Sequence, residues 1–219
     1  MNRWVEAARP RTLPLAVASI LLGNLIALAD GHFSLPIAAL AIFTTLFLQI
    51  LSNFANDLGD TLNGIDTQDR TVAQRTVQTG KISIPEMKKA VVFFGILSFI
   101  SGIYLIYIGL KDSTYQDFVI FLALGLLAIL ASITYTIGKK PYGYIGLGDL
   151  SVFLFFGLVG TCGSYYLQTK VFDWNILLPA SSSGLLSVAV LNLNNLRDID
   201  NDKLNGKYSI PVRIGKVRG

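Results

Sequence analysis

Six apolar stretches of 17 to 21 residues dominate the chain: Leu13–Ala29, Leu35–Leu51, Ala90–Leu110, Phe118–Ile137, Leu150–Leu167 and Ile176–Leu193. Each is long enough to cross the hydrocarbon core of a bilayer as a helix. Inside lipid the backbone must satisfy its own hydrogen bonds, which leaves helices or a closed barrel, and runs this long are not barrel strands. The balance of residues agrees: 52% hydrophobic and only 15% charged, against about 25% charged in a soluble domain. The expected fold is all-α, a polytopic transmembrane helix bundle with six spans in a single domain over 1–219. The first stretch follows Arg3, Arg9, Pro10 and Arg11 and ends at Asp30-Gly31-His32 without a small-residue cleavage site. It reads as a retained span, not as a signal peptide.

The 18 Lys and Arg residues sort by side. Sixteen fall on the N-terminus, the connections after spans two and four, and the C-terminal tail, leaving Lys111 and Lys170 opposite. Basic residues mark the cytoplasmic side. The expectation is a cytoplasmic N-terminus in a multi-pass protein of the cell's inner (cytoplasmic) membrane. The net charge of +4 is then a topology signal, and no nucleic-acid partner is implied. The lone Cys162 excludes an internal disulfide and sits in a small-residue patch, Gly160-Thr161-Cys162-Gly163-Ser164, suited to close helix packing.

One connection is long. Residues 52–82 hold Asp57, Asp60, Asp66, Asp69, Arg70, Arg75 and Lys81, an ion-rich mixture read as a cytoplasmic cap loop. It ends at Ser83-Ile84-Pro85-Glu86, a capping box with proline in the first turn, which predicts a helix starting near Ile84.

A polar pattern occurs twice, 142 residues apart, each time at the end of an apolar run. The first copy is Asn53, Asn56, Asp60, Leu62, Asn63 and Gly64; the second is Asn195, Asp198, Asp202, Leu204, Asn205 and Gly206. On a helix, the first three residues of each copy share one face. Two such oxygen-bearing stripes facing one another suit a hard cation, with Mg²⁺ the best candidate because it binds through a few carboxylates plus substrate phosphates. Asn and Asp near helix ends are often only caps, but caps alone do not account for two copies in register. Carboxylates beside membrane spans are costly and usually functional. Arg70, Arg75, Arg197, Lys139 and Lys140 lie on the same side and suit a diphosphate leaving group.

These residues resemble the two Asp-rich motifs of the UbiA superfamily of intramembrane prenyltransferases, N-x-x-x-D and D-x-x-x-D. The resemblance implies that Asn56, Asp60, Asp198 and Asp202 bind Mg²⁺ and the substrate diphosphate. The first motif departs from the family where Gly64 stands in place of a further Asp, with Asp66 and Asp69 as candidate substitutes. Four stretches look most like the branch acting on 1,4-dihydroxy-2-naphthoate in menaquinone synthesis. They are Arg9-Pro10-Arg11-Thr12-Leu13-Pro14, Ser52 through Arg70, Tyr135-Thr136 through Gly148-Asp149, and Leu193 through Asp198.

The implied reaction joins a polyprenyl diphosphate to that dihydroxynaphthoate, releasing diphosphate and CO₂. Asp60, Asp198, Asp202, Arg70 and Arg197 would carry it, with Asn53, Lys139, Lys140, Arg9, Tyr135 and Tyr142 contacting substrates. The family usually has nine spans, so further helices beyond Gly219 are expected. Acceptors of the ubiquinone or heme type are an alternative. A cation-coupled transporter is another, disfavoured because both polar copies sit at span ends and not at the midplane. A phosphatidyltransferase would need an Asp-Gly and Ala-Arg constellation that the chain lacks.

Overall fold

A computed structural model describes residues 2–64 and 75–216, and every regular element among them is helical. A short helix α1 (Arg3–Ala8) ends at Arg9, whose left-handed backbone (φ 50°) turns the chain through Pro10–Thr12 into α2 (Leu13–Ala29). Then come α3 (Leu35–Leu62), α4 (Ile84–Gly109) and α5 (Tyr115–Thr134). The fifth span is one rod in three parts: α6 (Gly148–Val152), a π-helical stretch Phe153–Val159, and α7 (Gly160–Thr169). Helix α8 (Leu177–Arg197) is followed by two short pieces, α9 (Ile199–Leu204) and α10 (Ile210–Ile214). Among the described residues, six helical segments are long and apolar enough to cross a membrane, matching the six apolar stretches.

The boundaries carry most of the new information. Helix α4 starts at Ile84 as its capping box predicts: Ser83 Oγ accepts from the Glu86 amide, and Glu86 accepts from Ser83 N at 2.9 Å. The same device opens α5, where the Thr114 amide donates to Asp117 at 3.0 Å. Helix α3, however, continues about three turns past its apolar run. Phe54, Ala55 and Leu58 stay buried on those turns, so packing outweighs the polar residues between them. The segment read as a cap from 52 to 82 is therefore helix up to Leu62. Asp66, Asp69 and Arg70 lie outside the described residues.

Lipid tails are as apolar as leucine, so close packing, and not the hydrophobic effect, holds such helices together. Helices α3 and α4 pack along their length. At one end of the bundle they bury Leu51, Phe54, Leu58, Met87 and Val91 with Ala7 of α1. Trp4 packs edge-on against Phe54 at 5.8 Å and joins this cluster. At the opposite end Ile20, Ile37, Leu105, Ile106 and Leu167 close the bundle. Small residues let the backbones meet between them. A Cβ on Gly23 of α2 would stand 2.2 Å from Thr161 O of α7, and one on Gly157 would stand 2.7 Å from Gly184 Cα of α8. Helix α5 has no fully buried residue and stands at the edge of the bundle. Between the two clusters the helices do not close, and the gap becomes the site.

Candidate active site

Both polar copies lie at the same end of the bundle as α1, with a turn between them that touches each. In the first copy, Asp60 is buried (3% exposed) at the end of α3. Its carboxylate accepts from the Tyr144 hydroxyl and pairs with the Arg75 guanidinium. Arg75 also donates to the main-chain oxygen of Asn56. Gly59 lets this turn lie directly on Thr136, since a Cβ there would fall 2.6 Å from the threonine hydroxyl. Thr136 in turn donates to Asn56 Oδ1 at 3.1 Å.

In the second copy, the expected single helical stripe is broken. Helix α8 ends at Arg197, Asp198 is the joint, and Asp202 lies on α9. The break lets Asp202 turn inward, where it is buried (3% exposed) and pairs with Lys207 at 3.1 Å. Asp198 is held by Arg197 through two bonds of 3.0 and 3.1 Å. The Tyr208 amide donates to Tyr144 O at 2.8 Å, and Arg213 donates to Ile145 O at 2.7 Å. The Tyr142–Ile145 turn thus joins the segment after Asp202 to the carboxylate of Asp60.

The two copies meet through this turn. Burial raises the pKa of Asp202; the charges of Asp198 and Asp60 raise it further, and Lys207 opposes them. Such a set of mutually repelling carboxylates favours a cation. Among the described residues no three acidic, histidine or cysteine side chains form a metal cage by themselves. All-oxygen donors from two facing elements, each already balanced by Arg or Lys, fit a Mg²⁺ ion that keeps waters and completes its shell with phosphate oxygens.

Beneath the carboxylates runs a cavity of about 340 Å³. Asn56, Tyr135, Tyr142 and Ser151 line its polar end, while Leu105, Ile106 and Leu167 line its far end. Lining positions on α3 run from Ala41 to Asn56, which is roughly 20 Å along the axis.

Several expected roles change. The Asn53 side-chain amide donates to Ala8 O (2.8 Å) and Thr12 Oγ1 (3.0 Å), tying α3 to the N-terminal segment. Arg9 is half-buried at the left-handed end of that segment. Tyr142 spends its hydroxyl on Ala131 O and Ser151 Oγ, both at 2.9 Å, and meets Tyr135 edge-on at 5.3 Å. Lys139 and Lys140 are exposed on the turn after α5. Arg70 lies outside the described residues.

Asp57 acquires a role that the repeat does not reveal. It is buried (2% exposed) and accepts from Thr76 N at 3.1 Å, Thr76 Oγ1 at 2.5 Å and Val77 N at 3.3 Å. It therefore pins the strand of chain that delivers Arg75. Asp57→Ala leaves these donors unpaired, and a loss of about 1–3 kcal/mol is expected. Thermal unfolding in detergent, compared with that of Asp200→Ala at an exposed site, measures it.

Comparison with known proteins agrees with this geometry. The family model described as the UbiA prenyltransferase family matches residues 16–219. The chain is 49% identical to a 1,4-dihydroxy-2-naphthoate octaprenyltransferase of Haemophilus influenzae, covering 100% of this chain and 71% of that protein. It is 50% identical to the protein of that name from Escherichia coli, over 98% and 69% of the two chains. A solved UbiA homolog from Archaeoglobus fulgidus, bound to DMAPP and Mg²⁺, superposes with a TM-score of 0.68 at 18% identity, over 99% of this chain and 70% of that one. Two facing acidic motifs above an apolar cavity, and a family match over nearly the whole length, make this chain a member of the UbiA prenyltransferase family.

Proposed function

We propose that this protein transfers a polyprenyl group from its diphosphate to 1,4-dihydroxy-2-naphthoate, a step of menaquinone biosynthesis, at the cytoplasmic face of the inner membrane. The observation that carries this reading is that buried Asp60, bonded to Tyr144, and buried Asp202, on the segment bonded to that same turn, lie at the end of the bundle where Asn56 and Tyr135 line the polar end of the apolar cavity. The names of the two bacterial relatives, at 49% and 50% identity, support the acceptor and the polyprenyl donor. The Mg²⁺ bound to the solved homolog supports the metal.

Asn56, Asp60, Asp198 and Asp202 would hold Mg²⁺, which when bound supplies charge neutralisation for a departing diphosphate. The chain's own cations do the rest. Arg75, Lys207 and Arg197 already sit on these carboxylates and are placed to turn toward phosphate oxygens when the diphosphate arrives. Tyr144 fixes the orientation of Asp60. As the carbon–oxygen bond breaks, the allylic carbon becomes cationic, and the faces of Tyr135 and Tyr142 at the cavity mouth stabilise that charge. Apolar walls exclude the water that would otherwise capture it. The electron-rich ring carbon bearing the carboxylate forms the new bond, and CO₂ leaves with its electrons returning to the ring.

The test is product analysis. Octaprenyl diphosphate, 1,4-dihydroxy-2-naphthoate and Mg²⁺ are expected to give the decarboxylated prenyl naphthol and diphosphate. Preferential prenylation of 4-hydroxybenzoate would reassign the acceptor.

A further inference from the structure

An asparagine that binds a metal poses a problem that an aspartate does not. Its amide has one oxygen and one nitrogen, and only the oxygen can meet a cation. Something beside Asn56 has to decide which end of the amide faces the cavity. The second polar copy has no such need, because the matching position, 142 residues on, is Asp198, whose two oxygens are equivalent.

The group beside Asn56 is Thr136, two residues past α5 and 2% exposed. Three positions of one face, Asn56, Gly59 and Asn63, close on it. Asn63 Nδ2 donates to Thr136 O at 2.8 Å. Gly59 lies against its backbone, where a Cβ would stand 2.7 Å from the Thr136 carbonyl carbon. Held in this way, Thr136 cannot shift, but its hydroxyl can still rotate.

That hydroxyl lies within hydrogen-bond reach of two acceptors, Ala55 O at 3.0 Å and Asn56 Oδ1 at 3.1 Å. It carries one proton and serves one of them at a time. With the proton on Asn56 Oδ1, the end of the amide left for a ligand is the NH₂ group, which repels a cation. Rotation of the hydroxyl toward Ala55 O frees its lone pairs. A half turn of the Asn56 amide then lets Nδ2 donate to Thr136 Oγ1 and brings Oδ1 round to the polar end of the cavity, which Asn56 lines. The buried hydroxyl is satisfied in both arrangements.

Resting on the Mg²⁺ site proposed above, we infer that Thr136 is a positioning residue, whose hydroxyl orients the Asn56 amide so that Oδ1 faces the metal. It acts only through Asn56.

The Mg²⁺ concentration that gives half-maximal binding of non-hydrolysable geranylgeranyl thiolodiphosphate to the full chain in detergent tests this without turnover. Thr136→Val keeps the shape and removes the hydroxyl. It is expected to raise that midpoint roughly tenfold, as when a polar group loses its hydrogen-bond partner. Thr136→Ala, which adds no bulk, should do the same, and Thr136→Ser, which keeps the hydroxyl, should stay near wild type. Asn56→Asp supplies the discriminating background, because a carboxylate presents oxygen whichever way it turns. There Thr136→Val should leave the midpoint within about twofold of Asn56→Asp alone, the non-additivity expected when one residue acts through another. An unchanged midpoint in Thr136→Val and Thr136→Ala overturns the inference. An equal rise in both backgrounds also overturns it, because it marks a general disturbance of the joint. Wild type that binds no thiolodiphosphate, or binds it without regard to Mg²⁺, refutes the metal site itself and the inference with it.

Discussion

Asp202→Asn is expected to lower prenyl transfer by on the order of a thousandfold, as does loss of a key charge-stabilising group in other active sites, while the protein still inserts and folds. The asparagine keeps the shape of the side chain, but it loses the negative charge and half of its acceptor capacity. Lys207, the partner it leaves behind, has a side chain 15% exposed and can reach water. Stability should therefore change little.

Asp60→Asn should lose as much activity and also some stability. The Arg75 side chain beside it is only 10% exposed, and removing the carboxylate of a buried ion pair costs about 3–5 kcal/mol. Adding Arg75→Gln to Asp60→Asn should return part of that stability without returning turnover. This non-additivity separates a folding role from a chemical one. Asp200, whose side chain is 84% exposed beside Lys216, is the control: Asp200→Asn should leave both properties unchanged. Turnover with varied Mg²⁺, together with thermal unfolding, checks the whole set.

The second large effect concerns the scaffold. Gly23→Val places a branched side chain where α2 meets α7, with its Cβ 2.2 Å from Thr161 O and from Ser164 Oγ, and 3.0 Å from Tyr165 N. The serine can rotate, but the backbone atoms cannot. Relief requires α2 to move away from α7, and both helices line the cavity. Overpacking of this kind costs about 1–3 kcal/mol and occasionally more. The variant is expected to show a lowered unfolding temperature and a loss of prenyl diphosphate binding. Gly125→Val faces open space and should keep its stability, so the pair distinguishes steric clash from loss of glycine as such. Normal unfolding of Gly23→Val would mean that α2 and α7 do not pack as described.

The spans were legible because length and apolarity alone specify a membrane helix. The start of α4 was legible because Ser83 and Glu86 satisfy a local hydrogen-bond pattern. The extent of α3 was not, because its last turns stay helical only through the burial of Phe54, Ala55 and Leu58 against other elements. The repeat located Asp60 and Asp202 but misjudged the second copy. Its even spacing suggests one continuous helix, whereas the chain bends at Asp198 to turn Asp202 inward.

Asn53 shows the limit of motif reading. Its spacing matches the ligand stripe, but its side chain is taken by Ala8 and Thr12, over 40 positions away. Only tertiary structure reveals such a partner.

The most direct test of the central claim is binding of a non-hydrolysable prenyl thiolodiphosphate to the purified chain, with Mg²⁺ and with chelator, in wild type and in Asp60→Asn/Asp202→Asn. The facing carboxylates predict binding that needs Mg²⁺ and disappears in the double variant. Binding that is equally strong in chelator, or unchanged in the double variant, would contradict the assignment of these carboxylates as the metal-diphosphate site.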